Sequence, residues 1–278
     1  MTPRMSQGCA LVLLLAMTLA MAAGMMAWGP VTLTSADHAY ADQRSWAGIP
    51  SVFNTLSCLP LLGVSAWGAL AVWRRRWPAS MRGPWLGFFA LCGALATAAL
   101  VQHVSPSDGA FATVHGFGAA AFIMLGLAFM AERMDALFGT RPALGAGMAL
   151  AACATAWWFI GQWASGQGDL RPLLFFESLP LLLIPAGALS LRGAHTVAAD
   201  WFATLGLYLL ARAAGLGDSL IFGWTGGSMG GHSLMHLLLA ASAACLAYRA
   251  SVVPGESPAR SAVLAEPTHR RASLNTSS

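Results

Sequence analysis

Eight long apolar stretches constrain this sequence more than any other feature. They lie at about residues 9–33, 51–73, 83–104, 110–131, 143–165, 171–191, 200–223 and 231–250. A helix needs about 20 predominantly apolar residues to cross the hydrocarbon core of a bilayer. Charged residues make up 9% of the 278 residues, whereas soluble domains carry about 25%. The sequence therefore predicts an all-α, polytopic bundle of transmembrane helices, and it excludes an ordinary water-soluble fold and a nucleic-acid-binding module.

The first apolar stretch fits either a membrane helix or a secretory signal peptide. Arg4, the apolar run and the small-residue triplet at 20–22 are typical of a signal peptide. The run continues to Leu33, which is long for a signal core, so we expect an uncleaved helix. The predicted organisation is an N-terminal transmembrane helix or signal anchor at 1–33, a seven-helix transmembrane domain at 34–250 and a disordered cytoplasmic tail at 251–278.

Arginines predict the orientation of the bundle. Eleven of them follow the second, fourth, sixth and eighth stretches, and two lie in the opposite loops, at Arg44 and Arg171. Positive charge accumulates on the cytoplasmic side of membrane proteins. Both termini are therefore predicted to be cytoplasmic. The eleven are Arg74, Arg75, Arg76, Arg82, Arg133, Arg141, Arg192, Arg249, Arg260, Arg270 and Arg271.

Three histidines in the apolar stretches predict a metal site. His232 and His236 are four residues apart, which places both imidazoles on one helix face about 5–6 Å apart. His103 ends the third stretch, and the predicted orientation puts it at the same membrane depth. Three such imidazoles would form a zinc site with an open fourth position. The alternatives are a histidine pair hydrogen-bonded to neighbouring helices and an interfacial His103.

Other polar residues in the stretches have two interpretations each. Glu177 is a buried protonated acid or a partner of Arg212. Asp218 either hydrogen-bonds to a ligating histidine or caps a helix. His115 makes a structural hydrogen bond or takes part in the site. The five cysteines are scattered singly, which favours small buried packing residues over disulfides or metal ligands. They are Cys9, Cys58, Cys92, Cys153 and Cys245.

Short motifs follow one another in a fixed order between residues 40 and 250. They are Ala41–Pro50, Phe53–Ser57, His103 with Pro106, Gly168–Pro172, Leu179–Pro185, Asp218–Phe222 and Gly231–Leu237. In this order they resemble the alkaline ceramidase family, particularly its bacterial ceramidase-like membrane proteins. That family belongs to the same larger group as the adiponectin-receptor-like proteins.

The resemblance implies a seven-helix core, here with one additional N-terminal helix, in the bacterial inner membrane. It also implies an intramembrane Zn²⁺ held by His103, His232 and His236. The implied activity is hydrolysis of the amide bond of ceramide or a similar membrane lipid, which gives a sphingoid base and a fatty acid.

Two positions depart from the family pattern. The family usually has a serine four residues before the first histidine, where this chain has Ala99, and an aspartate eleven residues after it, where this chain has Val114. The aspartate is expected to act as general base, and losing such a group costs about 10²–10⁴ in rate. His115 is a possible substitute base, although one step along a helix rotates a side chain by about 100°.

Three functions are therefore considered. The first is a zinc-dependent hydrolase of lipid amides. The second is a catalytically impaired receptor or sensor that binds zinc and lipid on the same scaffold. The third is a transporter or channel that moves protons through the histidines and Glu177. The absence of an inverted sequence repeat disfavours the third.

Overall fold

Helices make up almost all of the regular structure in residues 7–75 and 77–252, which are the parts of the chain that this computed structural model describes. In chain order they are α1 (Gln7–Trp28), α2 (Val52–Ser57), α3 (Leu59–Arg74), α4 (Ala79–Val104), α5 (Asp108–Arg133), α6 (Arg141–Ser165), α7 (Arg171–Ser190), α8 (Ala198–Leu216), α9 (Asp218–Trp224) and α10 (Gly231–Val252). Short 3-10 helices lie at Ser35–His38 and Ala136–Gly139. The tail predicted from residue 251 lies outside the described residues beyond Val252.

The predicted all-α membrane bundle is confirmed. Among the described residues, seven spans are long and apolar enough to cross a bilayer, or eight if the bent pair α8 and α9 forms one span. From the second stretch onward, the predicted and observed bounds differ most at α4, which begins at Ala79 rather than 83. The apolar pattern alone was therefore sufficient to predict the helical spans and the breaks between them.

Two predicted stretches end or bend where glycine interrupts them. The first helix ends at Trp28 rather than Leu33, because Gly29 has a φ of +92° and Pro30 cannot continue a helix. The stretch predicted at 200–223 consists of two helices, α8 and α9, which meet at an angle of 82°. Gly217 separates them with a φ of −90° and a ψ of +23°.

Six helices form a closed ring. Each helix in the series α3, α4, α5, α7, α8 and α10 packs against the next one, and α10 packs against α3 to close the ring. Helix α6 packs outside the ring against α5 and α7, and α1 contacts α7 alone among the described elements. Because every ring helix turns one face inward, polar side chains from distant parts of the sequence meet at the centre of the ring.

Helix α10 lies very close to α8. Ser242 Oγ donates to the Thr204 carbonyl oxygen at 2.8 Å. A second close contact lies nearer the start of α10, where a Cβ at Gly231 would overlap the carbonyl oxygen of Ala214 on α8. Gly231 is eleven residues before Ser242, and Ala214 is ten residues after Thr204. The two helices are therefore antiparallel and in register over most of their length. This register fixes the depth of every residue on α10 relative to α8.

A buried ion pair ties together the end of the bundle where α5 and α10 finish and α8 begins. The guanidinium of Arg133 and the carboxylate of Glu132 are 2.9 Å apart, and both side chains are almost fully buried. Glu132 also accepts hydrogen bonds from the backbone N–H groups of His195 and Thr196 at 2.7 and 2.6 Å. These contacts hold the α7–α8 loop against α5, so this buried charge is structural.

We predict that Gly231→Ala destabilises the bundle by about 1–3 kcal/mol, because the added Cβ would push α10 away from Ala214 of α8. Thermal unfolding in detergent, followed by circular dichroism, measures the loss. Gly206→Ala is the matched control, because a Cβ there meets no atom within 4 Å. We expect this control to be neutral or slightly stabilising. A Gly231→Ala protein as stable as the control would show that the close approach is unimportant.

Candidate metal centre

The three histidines singled out in the sequence lie together at one end of the ring. His103 is in the last turn of α4, and His232 and His236 are in the first two turns of α10. The ring centroid of His103 lies 5.1 Å from the centroids of both His232 and His236. The centroids of His232 and His236 are 4.7 Å apart. All three imidazoles are thus in mutual contact, and we call this end of the bundle the cluster end.

A cysteine that the sequence interpretation treated as a packing residue joins this group. The Cys58 sulfur and ring nitrogens of His103 and His236 all lie within 4.8 Å of one another, and all three side chains are buried. Thiolate sulfur and imidazole nitrogen are common metal ligands, so these three residues could hold a metal ion. His232 is not in this set of donors, although its ring contacts the other two imidazoles.

The hydrogen-bonding state of the imidazoles fits a metal ion. Nδ1 of His103 is buried and has no hydrogen-bond partner among the described residues. Buried polar atoms are nearly always paired, so a cation bound at this nitrogen would supply the partner. Nδ1 of His236 lies 2.9 Å from Ser57 Oγ and 3.5 Å from Cys58 Sγ. A donor set of sulfur and imidazole suits zinc, copper or iron.

Buried hydrogen bonds place Cys58 against α10. The hydroxyl of Ser57 and the thiol of Cys58 both donate to the Asn54 carbonyl oxygen, at 2.8 and 3.3 Å. The Asn54 side chain accepts from Ser233 Oγ on α10 at 2.6 Å and donates to the Asp42 carbonyl oxygen at 3.1 Å. Asn54 is fully buried. It therefore joins α2, α10 and the preceding loop into one rigid support for the cluster.

Residues 34–44, which we call the cap segment, cover the cluster. The Tyr40 ring centroid lies 4.9 Å from that of His103 and 4.3 Å from that of His232. Burial raises the pKa of Tyr40, so its hydroxyl stays protonated at neutral pH and available as a donor. No sequence motif indicated this tyrosine, because its proximity to the histidines depends on how the cap segment folds back over the ring.

Polar contacts on both sides anchor the cap segment. His38 Nε2 lies 2.7 Å from the Asp108 carboxylate at the start of α5, and Gln102 Nε2 lies 3.1 Å from His38 Nδ1. The Arg44 guanidinium donates to Asp42 at 2.6 Å and holds the pKa of that carboxyl below its usual value. The cap segment is therefore held against both α4 and α5 at the cluster end.

Asp218 acts on His232 through the backbone. One carboxylate oxygen accepts from the backbone N–H of His232 at 2.8 Å, and the other accepts from the backbone N–H of Ala41 at 2.8 Å. Of the two interpretations of Asp218, the structure shows capping of the first turn of α10. Asp218 thus positions His232 and ties the cap segment to α9 without a hydrogen bond to an imidazole.

His115 and Glu177 form a second polar pair in the same interior. Nδ1 of His115 lies 2.8 Å from Oε1 of Glu177. Gly118 makes room for the carboxylate, because a Cβ there would lie 2.6 Å from Oε1. Glu177 therefore pairs with His115, and not with Arg212 as the sequence allowed. His115 is not among the clustered metal donors.

The cluster and the His115–Glu177 pair open on one cavity of about 360 Å³. Ligand pockets usually have volumes of about 300–1,000 Å³. Val114, the position where the resembled family has an aspartate, also lines this cavity. The part of the cavity farther from the cap segment is mostly apolar, and its lining includes Leu61, Phe88, Leu125, Leu205 and Ala243. The cavity thus combines metal donors at one end with an apolar tunnel that suits a hydrocarbon chain.

Comparison with known proteins gives no family assignment, since no protein-family model and no curated protein matches the chain. The resemblance to the alkaline ceramidase family therefore rests on the motifs of the sequence.

We predict that the purified protein binds about one zinc per chain, since His103 and His236 present converging nitrogen donors. Metal analysis should show loss of the ion in His103→Ala and in His236→Ala. In the cobalt-substituted protein we expect a sulfur-to-cobalt charge-transfer band that Cys58→Ser abolishes, because Cys58 belongs to the clustered donors.

Cys92→Ser is the matched control, since Cys92 is also buried and lines the cavity but is not in the donor set. Metal-free protein from cells grown with ample zinc would rule out the centre. A metal-loaded protein without the sulfur band would exclude Cys58 as a ligand.

Proposed function

We propose that this protein is a zinc-dependent hydrolase of lipid amides, which splits a ceramide-like membrane lipid into a sphingoid base and a fatty acid. The observation that carries the proposal is the group of donors from Cys58, His103 and His236 at one end of a cavity whose lining is mostly apolar. The resemblance of the sequence motifs to the alkaline ceramidase family supports the substrate class.

The proposed binding mode follows the division of the cavity. The acyl chain occupies the apolar tunnel, where the described lining consists mainly of alanine, leucine and phenylalanine. The amide then lies at the metal donors, beneath Tyr40. A zinc ion bound there would supply Lewis-acid polarisation of the carbonyl group and a nucleophilic water at neutral pH. The cap segment would restrict access of bulk water to this end.

The His115–Glu177 pair is the proposed proton acceptor. A carboxylate that holds one imidazole nitrogen leaves the other nitrogen free to take a proton, as in the Ser-His-Asp arrangement. Here Glu177 would orient His115 through Nδ1, so that Nε2 accepts the proton of the attacking water. This assignment gives the chain a base although position 114 is valine.

The His232 ring beside the three clustered donors favours a second candidate function. Cys58, His103, His232 and His236 together would be enough to fill the tetrahedral shell of zinc. A closed shell of this kind is typical of structural sites, whereas catalytic sites keep one position open. With all four bound, the protein would be a zinc- and lipid-binding receptor or sensor without turnover. The close contact of the His232 ring with the other imidazoles favours this alternative.

We predict that purified protein releases fatty acid from a short-chain fluorescent ceramide in detergent micelles, and that chelation of the metal abolishes this release. His236→Ala should lower the rate at least about a hundredfold, because it removes a buried donor of the cluster. His195→Ala is the control, because His195 does not line the cavity. Its backbone N–H donates to Glu132 near the start of α8, and this hydrogen bond does not depend on the side chain. Metal-loaded, folded protein without any release would favour the sensor.

A second experiment tests the base. We predict that Val114→Asp raises the rate at least about tenfold, since a positioned general base contributes about 10²–10⁴. His115→Gln should lower the rate of the wild-type chain but should have little effect in the Val114→Asp background, where the aspartate takes over. Equal losses in both backgrounds would assign His115 a structural role instead.

A further inference from the structure

Arg212 is a cation on the wall of the cavity that has no ion pair within the described part of the chain. It is the one arginine among the described cavity-lining residues, its side chain is exposed, and the chain contains no lysine. Within the described part of the chain, no carboxylate lies within ion-pairing distance of its guanidinium, and no hydrogen bond engages it. An arginine inside a membrane span is expensive unless it pairs or faces water, so it marks a binding site by default.

The acidic residues that line the cavity have other partners. Asp37 accepts from the backbone N–H and hydroxyl of Thr34. Glu177 pairs with His115, and Asp218 accepts from two backbone N–H groups. None of these carboxylates forms an ion pair with Arg212, so its guanidinium has donors available for a ligand.

The register of α8 and α10 places Arg212 at the depth of the metal donors. Gly231 lies against Ala214, and the helices run antiparallel. With a rise of about 1.5 Å per residue, Arg212 lies about 3 Å deeper than Ala214, between the levels of His232 and His236. Packed helices are about 8–10 Å apart, so the long Arg212 side chain and a metal ion can contact adjacent groups of one ligand.

The wall of the cavity is exposed at this level. Arg212 and Leu216 both line the cavity and are both exposed, and 89% of the Leu216 surface is accessible. An acidic group next to the scissile amide would therefore reach Arg212 while the acyl chain enters the apolar tunnel.

We propose that Arg212 binds the acidic group of an anionic lipid amide, so that N-acyl amino acids are preferred over neutral amides of the same chain length. This substrate class rests on the proposed amide hydrolysis, and it replaces the neutral ceramide-like lipid with an anionic lipid amide as the preferred substrate. Binding of the acidic group does not depend on hydrolysis. The reaction would add water across the amide, giving a fatty acid and a free amino acid.

Binding to metal-free protein tests the proposal without turnover. The probes are N-myristoylglycine and N-myristoylethanolamine, which share the chain and the amide and differ in the carboxylate. We expect wild-type protein in a neutral detergent to bind the glycine conjugate about tenfold to a hundredfold more tightly, as for a hydrogen bond to a charged group. Arg212→Gln should abolish this preference and leave the affinity for the ethanolamide unchanged, whereas Arg212→Lys should keep most of it.

Arg141→Gln is the matched control, since Arg141 is also exposed and without an ion pair among the described residues but does not line the cavity. Equal affinity of wild-type protein for both probes, or a preference that survives Arg212→Gln, would overturn the proposal. So would tighter, Arg212-dependent binding of myristoyl lysophosphatidic acid, which would assign Arg212 to a lipid phosphate instead.

The two proposals fail separately. Chelator-sensitive hydrolysis of both probes at equal rates, together with equal binding, would remove the role of Arg212 and leave the hydrolase. An Arg212-dependent preference in binding without hydrolysis by metal-loaded protein would remove the hydrolase and leave the acidic-ligand site, as expected for a sensor.

Discussion

The close contact of α10 with α8 on one side and with α2 and α3 on the other determines what this bundle can do. Gly231 lets the start of α10 approach the backbone of α8, and Asn54 fixes the opposite side through Ser233. Helix α10 is thereby held in one register. His232 and His236 then face His103, which comes from a helix more than a hundred residues away in the sequence. A shift of α10 by one residue would rotate both imidazoles out of the interior.

Polar groups inside an apolar ring need partners, and here most of them have one. Glu177 is paired with His115, and Asn54 has its amide oxygen and nitrogen hydrogen-bonded. Among the described residues that line the cavity, Nδ1 of His103 is buried without a hydrogen-bond partner, and the guanidinium of Arg212 has no ion pair. The first of these groups belongs to the donors that could hold a metal ion, and the second is the cation to which we assign the proposed acidic ligand.

The fold and part of the site could be predicted from the sequence, for a physical reason. Apolar length and helical spacing are local properties, so the spans and the His232–His236 pair are visible in the residues themselves. Contacts between helices are not local. Cys58 sits in an apolar stretch without a partner nearby in sequence, and Tyr40 in a loop, so neither could be assigned to the cluster. Glu177 was visible as an unusual residue, but its partner depended on the packing of α5 against α7.

The exposed cavity wall at Leu216 has a consequence for how a lipid would reach the cavity. The cap segment lies over the histidines, so the proposed lipid substrate would enter past the exposed residues of α8 and would not have to pass through water. Its availability is then set by its mole fraction among the surrounding lipids rather than by its bulk concentration. In micelles, the half-saturating amount of lipid would accordingly depend on its dilution by detergent within the micelle surface. In a bilayer, the lipid composition would control how much of the protein has a lipid in its cavity.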